Sequence, residues 1–225
     1  MIRKIIQYAI FLKKVKIIPF IYFNYFCRMI IRTDNSKIIP YKNAVIDIDK
    51  SAKIYLGSGD IEVGCELLKK SKTETYVRLR NDAVWSSVGG CKLAYGSTLE
   101  ILDNAVFDSK YFTMNSNSVI IAAKKIQFGH DVMIGRNAVI YDSDHHSIRN
   151  KEGKITNLDA PVIIGDQVWL ATNVTVLKGA IIGTGSIIAA NAVVHGDVNS
   201  KSIYRTKEIS DVKKSYGSWE RQRPK

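Results

Sequence analysis

The chain predicts a parallel β-helix, an all-β solenoid. Three observations carry this: an unbroken period of six between residues 164 and 199, aliphatic or small residues at two fixed positions of each hexad, and turn formers between them. The hexads read IGDQVW, LATNVT, VLKGAI, IGTGSI, IAANAV and VHGDVN. Position one is Ile164, Leu170, Val176, Ile182, Ile188 and Val194, and position five is Val168, Val174, Ala180, Ser186, Ala192 and Val198. A fifth position and the next first position are two residues apart, so in a strand they share a face. Gly, Asn and Asp between the strands tolerate the dihedrals of a corner. A strand and a corner every six residues coil into stacked turns that bury the inward aliphatics.

The register continues upstream as FGHDVM and IGRNAV, and less regularly as YGSTLE, ILDNAV and FDSKYF. IDKSAK places the first coil near residue 45, and three hexads per coil give roughly eight coils, about 38 Å at a strand spacing of ~4.8 Å. Residues 64–92 fall out of register and predict a bulged loop. Residues 149–161, RNKEGKITNLDAP, are a polar insertion in a regular pattern, the kind of loop that carries function. The expected organisation is a basic, apolar helical segment over 1–44, a β-helix over 45–199 and a basic tail over 200–225. Trp169, Ile181, Ile187 and Val193 point outward, which predicts an oligomer contact or a ligand groove.

Charge is segregated. The chain of 225 residues has a net charge of +12, yet residues 43–199 carry 16 basic and 17 acidic side chains. Without a basic stripe in the body, nucleic-acid binding is not expected. The basic ends suit anionic groups: cofactor phosphates, an acidic glycan or a lipid surface. Cys27, Cys65 and Cys91 are too few and too widely spaced for a disulfide framework or a zinc ribbon, which fits reduced thiols in the cytoplasm. Lysines cut the apolar residues 1–31 too often for a membrane span, and no cleavage site follows them. A helix capping the main domain is the first expectation there. Peripheral contact with the inner face of a membrane, through snorkelling lysines, is the second.

IGDQVWLATNVTVLKGAIIGTGSIIAANAVV resembles the hexapeptide-repeat acyltransferases, and YDSDHHSI, a loop and VIIGDQVWLA most resemble the O-acetyltransferases of capsule and O-antigen clusters. More distantly, the chain is similar to the galactoside and maltose acetyltransferases. The resemblance covers about residues 45–199. It implies a left-handed parallel β-helix, a homotrimer with acetyl-CoA between subunits, and a sugar or polysaccharide acceptor. It puts the catalytic base at His145 and an acceptor-contacting Asn at Asn115. Cofactor contacts fall on Trp169, Thr172 and Ala190. The family's usual stretch after the last coil is replaced by SIYRTKEISDVKK, so Arg205, Lys207 and Lys213 are assigned to cofactor phosphates on charge alone.

Acetyl transfer to a hydroxyl needs a base, and an imidazole with an ordinary pKa of ~6.5 supplies one at neutral pH. Asp142 and Asp144 are near enough in sequence to orient His145, and with His146 they are the remaining acceptor-side candidates. A backbone N–H or a hydroxyl near Ala171 and Thr172 is the expected oxyanion donor. No Ser or Cys is paired with the base, so direct attack is expected. The same base could serve an N-acetyltransferase of a nucleotide-linked amino sugar. No metal is expected, because adjacent histidines on a strand point to opposite faces. A non-catalytic solenoid would not need the loop. Asn117 reads as part of an inward asparagine ladder, and Gly183 and Gly185 as corner residues.

Overall fold

The computed structural model describes residues 13–206 and 218–220. The chain climbs through three parallel sheets, one strand per sheet in each coil, as a left-handed parallel β-helix. The first face stacks eight strands from Ile30–Arg32 to Asp197–Val198, the second eight from Ile38–Pro40 to Ile203–Tyr204, and the third seven from Ala44–Ile48 to Val193–Val194. In the late coils, residues 18 apart stack directly: Ile163 on Ile181, Trp169 on Ile187, Thr175 on Val193.

The interior follows from the hexads. Ile164, Val168, Leu170, Val174, Val176, Ile182, Ile188 and Val194 are all 1% exposed or less. Each such side chain contributes about 1.5–3 kcal/mol through burial. The middle coils are filled differently, by Trp85, Phe107, Phe112 and Phe128. Phe107 lies 5.1 Å from Phe128, 5.8 Å from Phe112 and 5.8 Å from Trp85, and Trp85 Nε1 donates to Ser109 Oγ at 3.0 Å. These rings occupy the space that paired aliphatics fill above, which is why the hexads lose their regularity there.

The corners use left-handed backbone. Asn117, Asn137, Asn173 and Asn191 have φ of 55–61° on one edge, a conformation that Asn tolerates better than most residues. Asn137 Nδ2 donates to Asn173 Oδ1 and Asn173 Nδ2 to Asn191 Oδ1, at 3.1 and 3.0 Å. Asn117 is exposed and starts this outer row, not an inward ladder, because the left-handed corner turns its side chain to solvent. Gly183 and Gly185 are corner residues. A Cβ on Gly183 would stand 2.4 Å from Ser200 N, and Gly185 has φ +73°.

Three boundaries differ from the expected ones. The first coil begins at Ile30, not near 45, since Ile30–Arg32 pairs with Lys53–Leu56 and Ile38–Pro40 with Ile61–Cys65. Within residues 64–92 only the bulge at Cys65 and the loop 66–74 leave the pattern, and Thr75–Leu79 resumes it. The late insertion runs from 142 to 161. Ahead of the first coil lie a short helix α1, Ile17–Ile21, and a π-helical turn, Tyr22–Phe26. Phe23 and Cys27 join the core, so part of this segment does cap the solenoid. Among the described residues no helix is long and apolar enough to cross a membrane.

Candidate active site

The insertion leaves the third face after Tyr141 and folds back along the edge between the third and first faces. Two clamps hold it there. Asp142 is fully buried, and its carboxylate accepts the backbone N–H groups of Ala123, Lys124 and Lys125 at 2.6, 2.8 and 2.6 Å, all in the coil below. Burial pushes this carboxyl above the usual Asp range against the pull of the three donors. From the coil above, Lys178 Nζ donates to Asp144 Oδ2 at 2.6 Å and to Asn157 O at 2.8 Å. Asn157 cross-braces the loop, donating to Asp144 Oδ2 and His146 O and accepting from Ile148 N.

Between the clamps sits His145. Its backbone is left-handed, φ 59°, and its N–H donates to Ser143 Oγ at 2.9 Å. The imidazole meets the Tyr141 ring edge to face, with centroids 5.3 Å apart. Nε2 is shielded from solvent and has no hydrogen-bond partner. A buried polar atom without a partner is a local cost in stability, and here it belongs to a ring lining a cavity of about 710 Å³. The cavity's other polar walls come from the lower coils, among them Asp49, Arg80, Asn81, Asp103 and Asn104. The Ser51 N–H and hydroxyl hold the Asp49 carboxyl below its usual range. An unpartnered imidazole nitrogen over a cavity of carboxylates, amides and a guanidinium can accept a proton from a polyhydroxylated molecule bound there.

Asp142 does not orient His145, because both its oxygens are taken by the coil below and full burial keeps it from any acceptor, while Asp144 turns Oδ2 to Lys178 and Asn157. His146 is exposed. Asn115 lies on a different edge, between the second and third faces. There the backbone ladder stacks it below Gly135, Ala171 and Ala189 (Asn115 N to Ile134 O, Gly135 N to Leu170 O, Ala171 N to Ile188 O). Trp169, 46% exposed, opens the two-residue strand Trp169–Leu170 that leads into this edge, Thr172 and Ala190 are exposed on it, and Arg205 follows Tyr204 at its top. The Ala171 N–H is spent on Ile188 O, which removes it as an oxyanion donor. Lys207 and Lys213 lie outside the described residues. Within one chain, then, Asn115 and the candidate cofactor residues share one edge, and His145 sits on another.

Sequence reasoning missed Lys178, Asn157, Tyr141 and the cavity walls of the lower coils. Lys178 had a signal: it is the one lysine at the second corner position of the six late hexads. Replacing it by Met should speed amide exchange across residues 143–157 about fivefold, as expected for the loss of about 1 kcal/mol of local hydrogen bonding, and leave the solenoid strands unchanged. Exchange mass spectrometry checks this. Among the described residues no group of three or more His, Cys, Asp or Glu side chains is placed to hold a metal.

Residues 161–196 match the family described as bacterial transferase hexapeptide (six repeats). Those residues carry the six-residue repeat that this family model describes. The chain is 30% identical over 118 residues to WbbJ of Escherichia coli (strain K12), a candidate O-acetyl transferase of lipopolysaccharide biosynthesis, covering 48% of the present chain and 60% of that one. It is 44% identical over 69 residues to the polysialic acid O-acetyltransferase of Neisseria meningitidis, 30% and 32% of the two chains. The chain spans 60% of the first of these relatives and about a third of the second. The crystal structure of the polysialic acid O-acetyltransferase OatWY superposes with a TM-score of 0.50 at 20% identity, over 82% of this chain and 95% of that one, a likeness of fold.

Proposed function

We propose that the protein is an acetyl-CoA-dependent O-acetyltransferase acting on a sugar hydroxyl of a bacterial surface polysaccharide or its precursor. The observation that carries this is the unpartnered, shielded Nε2 of His145 over a polar cavity. The relatives named for O-acetyl transfer to glycans point the same way. Nε2 takes the proton of the acceptor hydroxyl as its oxygen attacks the acetyl thioester carbon. The carbon–sulfur bond then breaks, and the imidazolium returns the proton to the leaving thiolate. The acceptor lies along Arg80, Asn81, Asp103 and Asn104. The cofactor lies along Trp169, Thr172 and Ala190, with Arg205 toward its phosphates.

Since these two sets occupy different edges of one solenoid, the reacting groups meet only when an edge of one chain faces the other edge of its neighbour. Ile181 on the first face, Trp169 on the second and Val193 on the third, each 37–47% exposed, give every face an outward apolar residue for such contacts, and three contacts close a ring. Complementation tests the reading. His145→Ala supplies an intact cofactor edge, and Ala190→Trp, which fills the exposed corner, supplies an intact base. Each alone should be inactive. Mixed one to one and reassembled, they should recover about a quarter of wild-type activity, the fraction of interfaces that join two intact edges. Recovery of none would mean that one chain carries the whole site.

A further inference from the structure

The N-terminal end of the solenoid carries a surface that acetyl transfer does not use. Residues 1–33 contain seven basic side chains and no acid. In α1 and the π turn, Ile17, Ile18, Ile21, Tyr22, Tyr25 and Phe26 are all exposed, Ile18 at 82%, Phe26 at 69% and Tyr25 at 65%. This is no loose tail. Arg32 Nη2 donates to Phe23 O at 2.7 Å and to Asn24 Oδ1 at 3.0 Å, and Asn24 exchanges hydrogen bonds with the backbone of Ile38 at 2.8 and 2.9 Å. The apolar side chains are therefore held outward by a fixed backbone.

Cations surround them. Lys37 Nζ lies 5.1 Å from the centroid of the Tyr25 ring, and Arg28 is exposed just after the π turn. Lys13 and Lys14, just before α1, line a cavity of about 710 Å³ with Lys42, Lys69 and Lys70; Leu68, in the same loop 66–74, is 59% exposed. Lys92 in this cavity is paired with Glu62 at 3.3 Å, which leaves Glu66 as the other acid facing five lysines. Like charges gathered round one cavity repel one another until an anion enters. A second copy of the same end would bring the same charges together, so self-association does not relieve them.

We propose that this end docks on an anionic phospholipid bilayer, with α1 and the π turn at headgroup depth and the lysine cavity receiving lipid phosphates. Exposed aliphatic and aromatic residues flanked by lysines suit that depth, and each lysine near the surface adds electrostatic attraction. The inference is independent of the acetyl-transfer reading. Co-sedimentation of the full chain with vesicles tests it, using phosphatidylcholine alone and phosphatidylcholine with about 30% phosphatidylglycerol. The intact protein should bind the anionic vesicles and release in high salt. Ile18→Ser/Phe26→Ser and Lys69→Glu/Lys70→Glu change exposed side chains only, and each pair should weaken binding about tenfold or more. Failure to bind anionic vesicles, wild-type binding by both double variants, or a change of oligomeric state in the variants without lipid would overturn the proposal; the last would assign the face to another copy of the chain.

Discussion

His145→Ala is expected to lower turnover by ~10² or more, the usual loss on removing a general base, while acetyl-CoA still binds. On the proposed reading the bound cofactor should survive, because the residues proposed for it, Trp169, Thr172 and Ala190, sit on a different edge of the chain from the loop. His146→Ala should cost far less, since that residue is exposed and its carbonyl, which a substitution keeps, makes the bond to Asn157 Nδ2. Steady-state kinetics with acetyl-CoA and a sugar acceptor, beside calorimetry of cofactor binding, separates the two variants. Equal activity in both would remove His145 from the reaction.

Asp142→Ala should be the most damaging change to stability in the insertion. It would strip the acceptor from three backbone N–H groups around a fully buried side chain. Each buried donor left unsatisfied costs ~1–3 kcal/mol, so a loss of about 3 kcal/mol or more is expected. For a chain of this size that lowers Tm by roughly 6–12 °C. Asp142→Asn keeps the shape and one acceptor oxygen but turns an NH₂ group toward a donor, so it should fall between wild type and Ala. Thermal unfolding followed by circular dichroism orders the three. An unchanged Tm in Asp142→Ala would mean that the loop is not fastened at this point.

The late coils were legible because their interior is built from Ile, Leu and Val at a strict spacing, and small residues between leave no competing pattern. Legibility faded where Trp85, Phe107, Phe112 and Phe128 fill the core, since one ring takes the room of two aliphatics and the hexad loses its marks. The strand Ile30–Arg32 was hidden for another reason: it continues an apolar run that also supplies α1. At the site, the insertion announced itself as a break in a period, and His145 stood out within it. Its surroundings did not, because the cavity wall comes from residues 47–104, brought beneath the loop by coiling alone. Asp142 shows the limit of adjacency. Three residues from the histidine, it turns inward once the chain leaves the strand, and it serves the coil below.

The loop strand Ser147–Arg149 pairs antiparallel with Ser218–Glu220, so Ile148 meets Trp219, 71 residues further along, whereas neighbouring late coils pair residues 18 apart. Closing the longer loop costs about 1 kcal/mol more in chain entropy, by the logarithmic dependence on length. The solenoid can zip coil by coil over short separations, but this last pairing waits for the rest. The pairing of Ser147–Arg149 is therefore expected to form after the late coils, with amide protection at those three residues below that of the coil strands. Removing Ser218–Glu220 would therefore leave Ser147–Arg149, which begins two residues after His145, without its strand partner.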